Sequence, residues 1–164
     1  MKNILNAAFL VLALLLFVGC DRLTKTIAKD ELSSSSRFSY FNGFLQLEYT
    51  ENPGSFMSLG SNLPDNVRRT VHLLSAAVVL AGLVLVVVFI HRFDRARLAG
   101  LTLLLAGACG NLLDRFMNHG RVIDFIMIDI GRAHTGVFNI ADVLIIMGAA
   151  ILISKTRVWK EHEA

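Results

Sequence analysis

The chain has 164 residues, of which 54% are hydrophobic and only 18% charged, and a mean hydropathy of +0.58 is too apolar for an ordinary soluble domain of that length. A net charge of +3 could suggest a nucleic-acid partner, but the basic residues lie scattered between apolar runs without aromatic interleaving, so they read as membrane-topology charges and no nucleic acid is expected. The two cysteines, Cys20 and Cys109, form no CxxC pair and the histidines no HExxH helix, so neither a disulfide framework nor a metal site nor a cofactor is expected.

The first apolar run covers about Ile4 to Cys20 and ends in LLLFVGCDR, residues 14–22, which looks like a signal peptide with a lipid-acceptor cysteine. The run is longer than the apolar core of about 7–15 residues such peptides carry, and Leu23, Ile27 and Ala28 continue a helical stripe beyond Cys20, so a retained first helix is expected. In the next segment the serines at 33–36 read as a loop. Phe44 to Thr50 alternates like a half-buried strand between turns at Asn42-Gly43 and Asn52-Pro53-Gly54, which predicts a small β-sheet over about 37–60 on the membrane surface.

Three further apolar runs, about Val67–Ile90, Leu98–Phe116 and Ile140–Ser154, bring the expected spans to four. Arg92, Arg95 and Arg97 crowd the second connection, and Lys155, Arg157 and Lys160 the tail, which places both termini in the cytoplasm and the sheet outside. The expected fold is therefore one membrane domain, 1–164, mainly α, with four transmembrane helices and a small outer sheet.

Polar residues that cost most at a membrane boundary cluster at the outer helix ends. In GNLLDR, residues 110–115, Asn111, Asp114 and Arg115 share one helix face, and read either as an ion-paired anchor or as part of a site. In FNIAD, residues 138–142, Asn139 as N-cap puts Asp142 at the third helical position, a capping box that explains both residues without any function. Asp124 lies in the loop returning span three to span four, and that loop can bring it to the start of span four. Two carboxylates meeting in a poorly hydrated place share a proton, and such a pair can hydrolyse a peptide. Asp142, at a positive helix end, is the expected ionised member, and Asp124, between Ile123 and Phe125, the proton holder.

These motifs resemble those of the bacterial lipoprotein signal peptidases, the type II signal peptidases, over nearly the whole chain. The likeness is carried by Asp21-Arg22-Leu23-Thr24-Lys25, Asn52-Pro53-Gly54-Ser55-Phe56, Gly110 to Arg115, Gly120 to Phe125 and Phe138 to Asp142. It implies a membrane aspartic endopeptidase of the bacterial cytoplasmic membrane, with Asp124 and Asp142 as the catalytic pair at the outer leaflet. It further implies a substrate groove lined by Asn52, Gly54, Asn111, Arg115 and Asn139, and a supporting pair, Asp21 and Lys25; Asp114 is taken as a further supporting residue. The implied partners are prolipoprotein signal peptides carrying a diacylglyceryl-cysteine, and membrane lipid. Arg22 stands where the family usually has Gln, and Ser55 where it commonly has Ala.

Phe56 and Met57 could close over the peptide. The competing expectations are a serine-lysine peptidase using Ser55 or Ser58 with Lys25, a small four-span transporter, and a lipidated non-enzymatic membrane protein. The transporter reading fits poorly, because the middles of all four spans lack charged residues.

Overall fold

A computed structural model describes the backbone of residues 2–33, 37–54 and 62–161, with side chains over 5–33, 37–54 and 62–155. Ser34 to Ser36, and with them most of the serine loop, lie outside the described residues, as do Ser55, Phe56, Met57 and Ser58. The elements in chain order are helix α1 (Lys2–Leu32), strands β1 (Phe38–Tyr40) and β2 (Leu45–Asn52), helices α2 (Asp65–Val88) and α3 (Arg95–Met117), strand β3 (Val122–Ile128) and helix α4 (Ile140–Glu161).

Among the described residues three helical stretches are long and apolar enough to cross a membrane, Leu5–Leu32, Asp65–Val88 and Arg95–Met117. Leu12, Leu15 and Val78 are each about 70% exposed in the isolated chain, which is stable only if hydrocarbon covers them. The apolar run of the first span ends at Cys20, and the helix continues past it, as the stripe through Leu23, Ile27 and Ala28 predicts: α1 runs unbroken to Leu32, because Leu32 and Ala28 are buried with Phe125 beneath the sheet. Cys20 is thus an exposed mid-helix residue. The other limits move by a few residues: α2 ends at Val88 after starting behind Pro64, and α3 starts at Arg95 because Asp94 caps it, accepting the Arg97 N–H at 2.7 Å.

The sheet is antiparallel in the order β1-β2-β3. The turn joining β1 to β2 uses left-handed backbone at Phe41, Asn42 and Gly43, in agreement with the Asn-Gly signal. The sheet is not confined to residues 37–60, however: β3 was not expected as a strand. It is buried along most of its length, so VIDFIMI carries no polar alternation to betray it. On its far edge Phe138 exchanges backbone hydrogen bonds with Ile126 at 2.8 and 2.9 Å, which brings the start of α4 beside β3.

The pairing of β2 with β3 contains a bulge. Leu47 faces Ile126 but Thr50 faces Asp124, so β2 holds one residue more than its partner between those pairs. One extra residue reverses which side chains share a face. Beyond the bulge Thr50 and Asn52 therefore lie on the Asp124 face.

Helices α3 and α4 pack most extensively of all elements, and small residues permit it. A Cβ at Gly107 would stand 2.3 Å from the Ala141 carbonyl oxygen, and one at Gly110 would stand 2.6 Å from Asp21 Oδ2. Gly110→Ala is expected to destabilise by about 1–3 kcal/mol and to dislodge Asp21, whereas Gly19→Ala, with nothing within 4 Å, should stabilise by about 0.5–1 kcal/mol as a helix-interior Gly→Ala change. Thermal unfolding in detergent checks the opposite signs; equal shifts would show that the α1–α3 contact is looser than described.

Candidate active site

Asp124 is 2% exposed on β3, held between β2 and the chain entering α4. Its Oδ2 accepts from Asn52 Nδ2 at 2.9 Å and its Oδ1 from Asn139 Nδ2 at 2.6 Å. Burial pushes the Asp124 carboxyl up to about 6 against those two donors, and the nearby Asp142 carboxylate pushes the same way.

Asp142 sits in the first turn of α4, 5% exposed. The capping box read from FNIAD is present. Asp142 N–H donates to Asn139 Oδ1 at 3.0 Å, and Asn139 N–H donates to Asp142 Oδ2 at 3.2 Å. The cap does not exclude a site, because the remaining oxygen, Oδ1, accepts from Asn111 Nδ2 at 2.9 Å.

Three asparagine amides therefore surround the two acids, and each is oriented by a partner that can only donate. Gly54 N–H pins Asn52 Oδ1 at 2.8 Å, Asp142 N–H pins Asn139 Oδ1, and the Lys25 ammonium pins Asn111 Oδ1 at 3.0 Å. With every carbonyl engaged in this way, every NH₂ is turned toward the carboxylates.

Lys25 is fully buried on α1 and spends its three donors on Asp21 Oδ2 at 2.7 Å, Asp114 Oδ2 at 3.0 Å and Asn111. Asp21 Oδ1 accepts the Ala141 N–H at 2.9 Å, which ties α1 to the start of α4. Asp114 accepts the Ile123 N–H at 3.0 Å, which ties α3 to β3, and its other oxygen accepts from Arg22 Nη1 at 3.0 Å. Arg115 closes the cluster on the open side: Nη2 donates to the Gly54 carbonyl at 3.0 Å and Nη1 to the Asn111 carbonyl at 3.2 Å. Its buried Nε has no hydrogen-bond partner among the described residues.

All ten residues singled out from the sequence thus meet in one connected cluster. Four carboxylates, Asp21, Asp114, Asp124 and Asp142, stand against three cations, Arg22, Lys25 and Arg115, so a single proton balances the set. Two participants were not singled out as site residues. Arg22 had been noticed only as a departure from the family pattern, and its place one residue after Asp21 was the available signal. His72 lines a groove of about 390 Å³ between α2, α3 and α4 that reaches Asn111, Arg115 and Asp142; a lone histidine in an apolar span carried no spacing signal. A larger groove of about 930 Å³ along α2 and α3 reaches the cluster through Arg115 and His72 and passes Pro53. Lys25, with all its donors engaged, is not available as the base of a serine-lysine pair.

Apolar helices gathered around a buried cluster of carboxylates, cations and amides define a membrane protein with a polar site. A family profile described as Signal peptidase (SPase) II matches residues 12–158. The chain is 33% identical to the lipoprotein signal peptidase of Solibacter usitatus over 84% of each chain. Against the enzyme of that name from Syntrophus aciditrophicus it is 34% identical over 81% of this chain and 82% of the relative. With that of Francisella tularensis subsp. mediasiatica the identity is 32% over 93% of both. A bacterial membrane enzyme solved in meso at 2.3 Å shares the fold, with a TM-score of 0.77 and 23% identity over 96% of this chain and 92% of that one. The chain belongs to the signal peptidase II family, and is thus a protease of the membrane.

Proposed function

We propose that this chain is an aspartic endopeptidase that removes signal peptides from prolipoproteins, cutting immediately before a cysteine that carries a diacylglyceryl group. The observation that carries the reading is the pair of buried carboxylates with three asparagine NH₂ groups turned toward them. Asp142 is the base: its two oxygens accept from Asn111 and from the Asn139 N–H, and the helix N-terminus favours its charge. Asp124 is the acid, kept protonated by burial and by its neighbour. A water between them loses a proton to Asp142 as its oxygen bonds to the scissile carbon, while Asp124 protonates the carbonyl oxygen. The C–N bond then breaks as the amine takes a proton from Asp142 and the diol returns one to Asp124, which restores the starting state.

Four spans are part of the proposal. The fourth is the apolar stretch Ile140–Ser154 of α4, and the arginine-rich turn Arg92–Arg97 and both termini lie in the cytoplasm. The acid pair and sheet then sit at the outer leaflet, where a lipid-anchored cysteine holds its own peptide bond. The Nε–H of Arg115, unpartnered among the described residues, supports contact with the extended substrate backbone there.

Mass spectrometry of a precursor incubated with the purified chain in detergent tests the reading. The expected products are a free signal peptide and a protein beginning at the lipidated cysteine, with the unlipidated precursor cut at least tenfold more slowly. Equal cleavage of both precursors, or cutting at another bond, would refute it.

A further inference from the structure

We propose that Arg22 is a positioning residue that sets the pH range over which the acid pair works; the proposal rests on the roles given above to Asp124 and Asp142. Asp114 is fully buried, and its Oδ2 already accepts from Lys25 and from the Ile123 N–H. Its Oδ1 accepts from Arg22 alone among the described residues, at 3.0 Å. Lys25 is stretched between three acceptors, of which the Asn111 carbonyl is the only uncharged one. Arg22 neutralises part of the Asp114 charge, and this leaves the ammonium centred, with a donor for Asn111. Without Arg22 the buried Asp114 draws Lys25 toward itself. Asn111 then loses the donor that orients its amide, and Asp142 Oδ1 loses the N–H that holds its charge.

Net charge acts in the same direction. The charged groups acting on the acid pair are Lys25 from α1 and Arg115 from α3, with Asp21 and Asp114 on the Lys25 ammonium behind them; His72 from α2 lines the groove that Asp142 opens on, and the uncharged Asn52 comes from β2. Tyr49 of β2 also feels the Asp114 charge. Removing Arg22 leaves two cations against four carboxylates, so each ionisation of the pair costs more. Arg22 is also the one member of the ion-pair cluster in α1 that reaches solvent, with about a third of its side chain exposed, so it can be exchanged without opening a hole in the bundle.

The test is the pH dependence of kcat/KM for a lipidated precursor in zwitterionic micelles, for wild type, Arg22→Gln and Arg22→Lys, with thermal unfolding of each. Arg22→Gln is expected to move both limbs of the profile to higher pH by roughly half a unit. Arg22→Lys, which keeps the charge, restores the wild-type limbs. Unmoved limbs in Arg22→Gln, an equal loss at every pH, a chain that does not fold, or limbs displaced alike in Arg22→Lys would each overturn the proposal. No cleavage by wild type at any pH would instead overturn the peptidase reading, and this proposal with it.

Discussion

Asp142→Asn is expected to lower prolipoprotein cleavage by about 10³-fold or more while leaving the chain folded. An asparagine there keeps an oxygen for one of the two N–H donors, from Asn111 and from the Asn139 backbone, but it cannot take a proton from water. Asp124→Asn should be equally inactive for a different reason, since it removes the proton that reaches the carbonyl oxygen. The two variants separate catalysis from support, because stability carries its own signature. Asp124 is raised from the ordinary 3.8 to about 6 in the folded chain. Between those values the folded chain holds a proton that the unfolded chain has released, so the contribution of Asp124 to stability falls as pH rises from about 4 through about 6. The span is worth on the order of 3 kcal/mol. Thermal unfolding of Asp124→Asn relative to wild type should therefore improve with pH across that window. A residue that served only the fold would give a variant that is active in proportion to the protein that survives, whereas the pH dependence of the stability difference reports the raised carboxyl itself.

Lys25→Met is the second large effect. The substitution keeps most of the apolar stem and removes the ammonium from between two buried carboxylates, so Asp21 and Asp114 lose their shared cation and Asn111 its orienting donor. Breaking one member out of a buried ionic cluster costs about 3–5 kcal/mol, largely because the partners left behind stay charged and desolvated. The expected result is a fall in the unfolding temperature and in the yield of monodisperse protein, with cleavage restored only in part at lower temperature, because Asn111 no longer has the donor that turns its amide toward Asp142. Adding Asp21→Asn to Lys25→Met should recover part of the loss, since one stranded charge goes with it while its amide oxygen still accepts the Ala141 N–H. A double variant less stable than the single one would show that the cost lies in packing.

The parts of the site that were legible in the sequence are those written in local spacing. FNIAD announces its cap because the third-residue spacing is the geometry of a helix start, and Asn52-Pro53-Gly54 announces a turn, which the Gly54 N–H closes onto Asn52. Asp21 and Lys25 came from the resemblance alone, and the structure shows them as an ion pair four apart on α1. Their common partner Asp114 is not readable, since nothing local says which faces of α1 and α3 will meet. Strand β3 escaped because a strand buried along most of its length has no alternation, and the bulge that turns Asn52 toward Asp124 escaped because one extra residue between Leu47 and Thr50 leaves no mark in composition. Arg22 was visible only as an oddity until Asp114 appeared beside it.

In the proposed enzyme these elements are united by one shared proton. Carbon-13 chemical shifts of the aspartate carboxyls, followed against pH in wild type and in Asp142→Asn, test it most directly. One carboxyl, Asp124, is predicted to stay protonated up to about pH 6 in wild type and to titrate lower once the neighbouring charge is gone. Two independent titrations near the ordinary carboxylate value, unchanged by the substitution, would contradict the account.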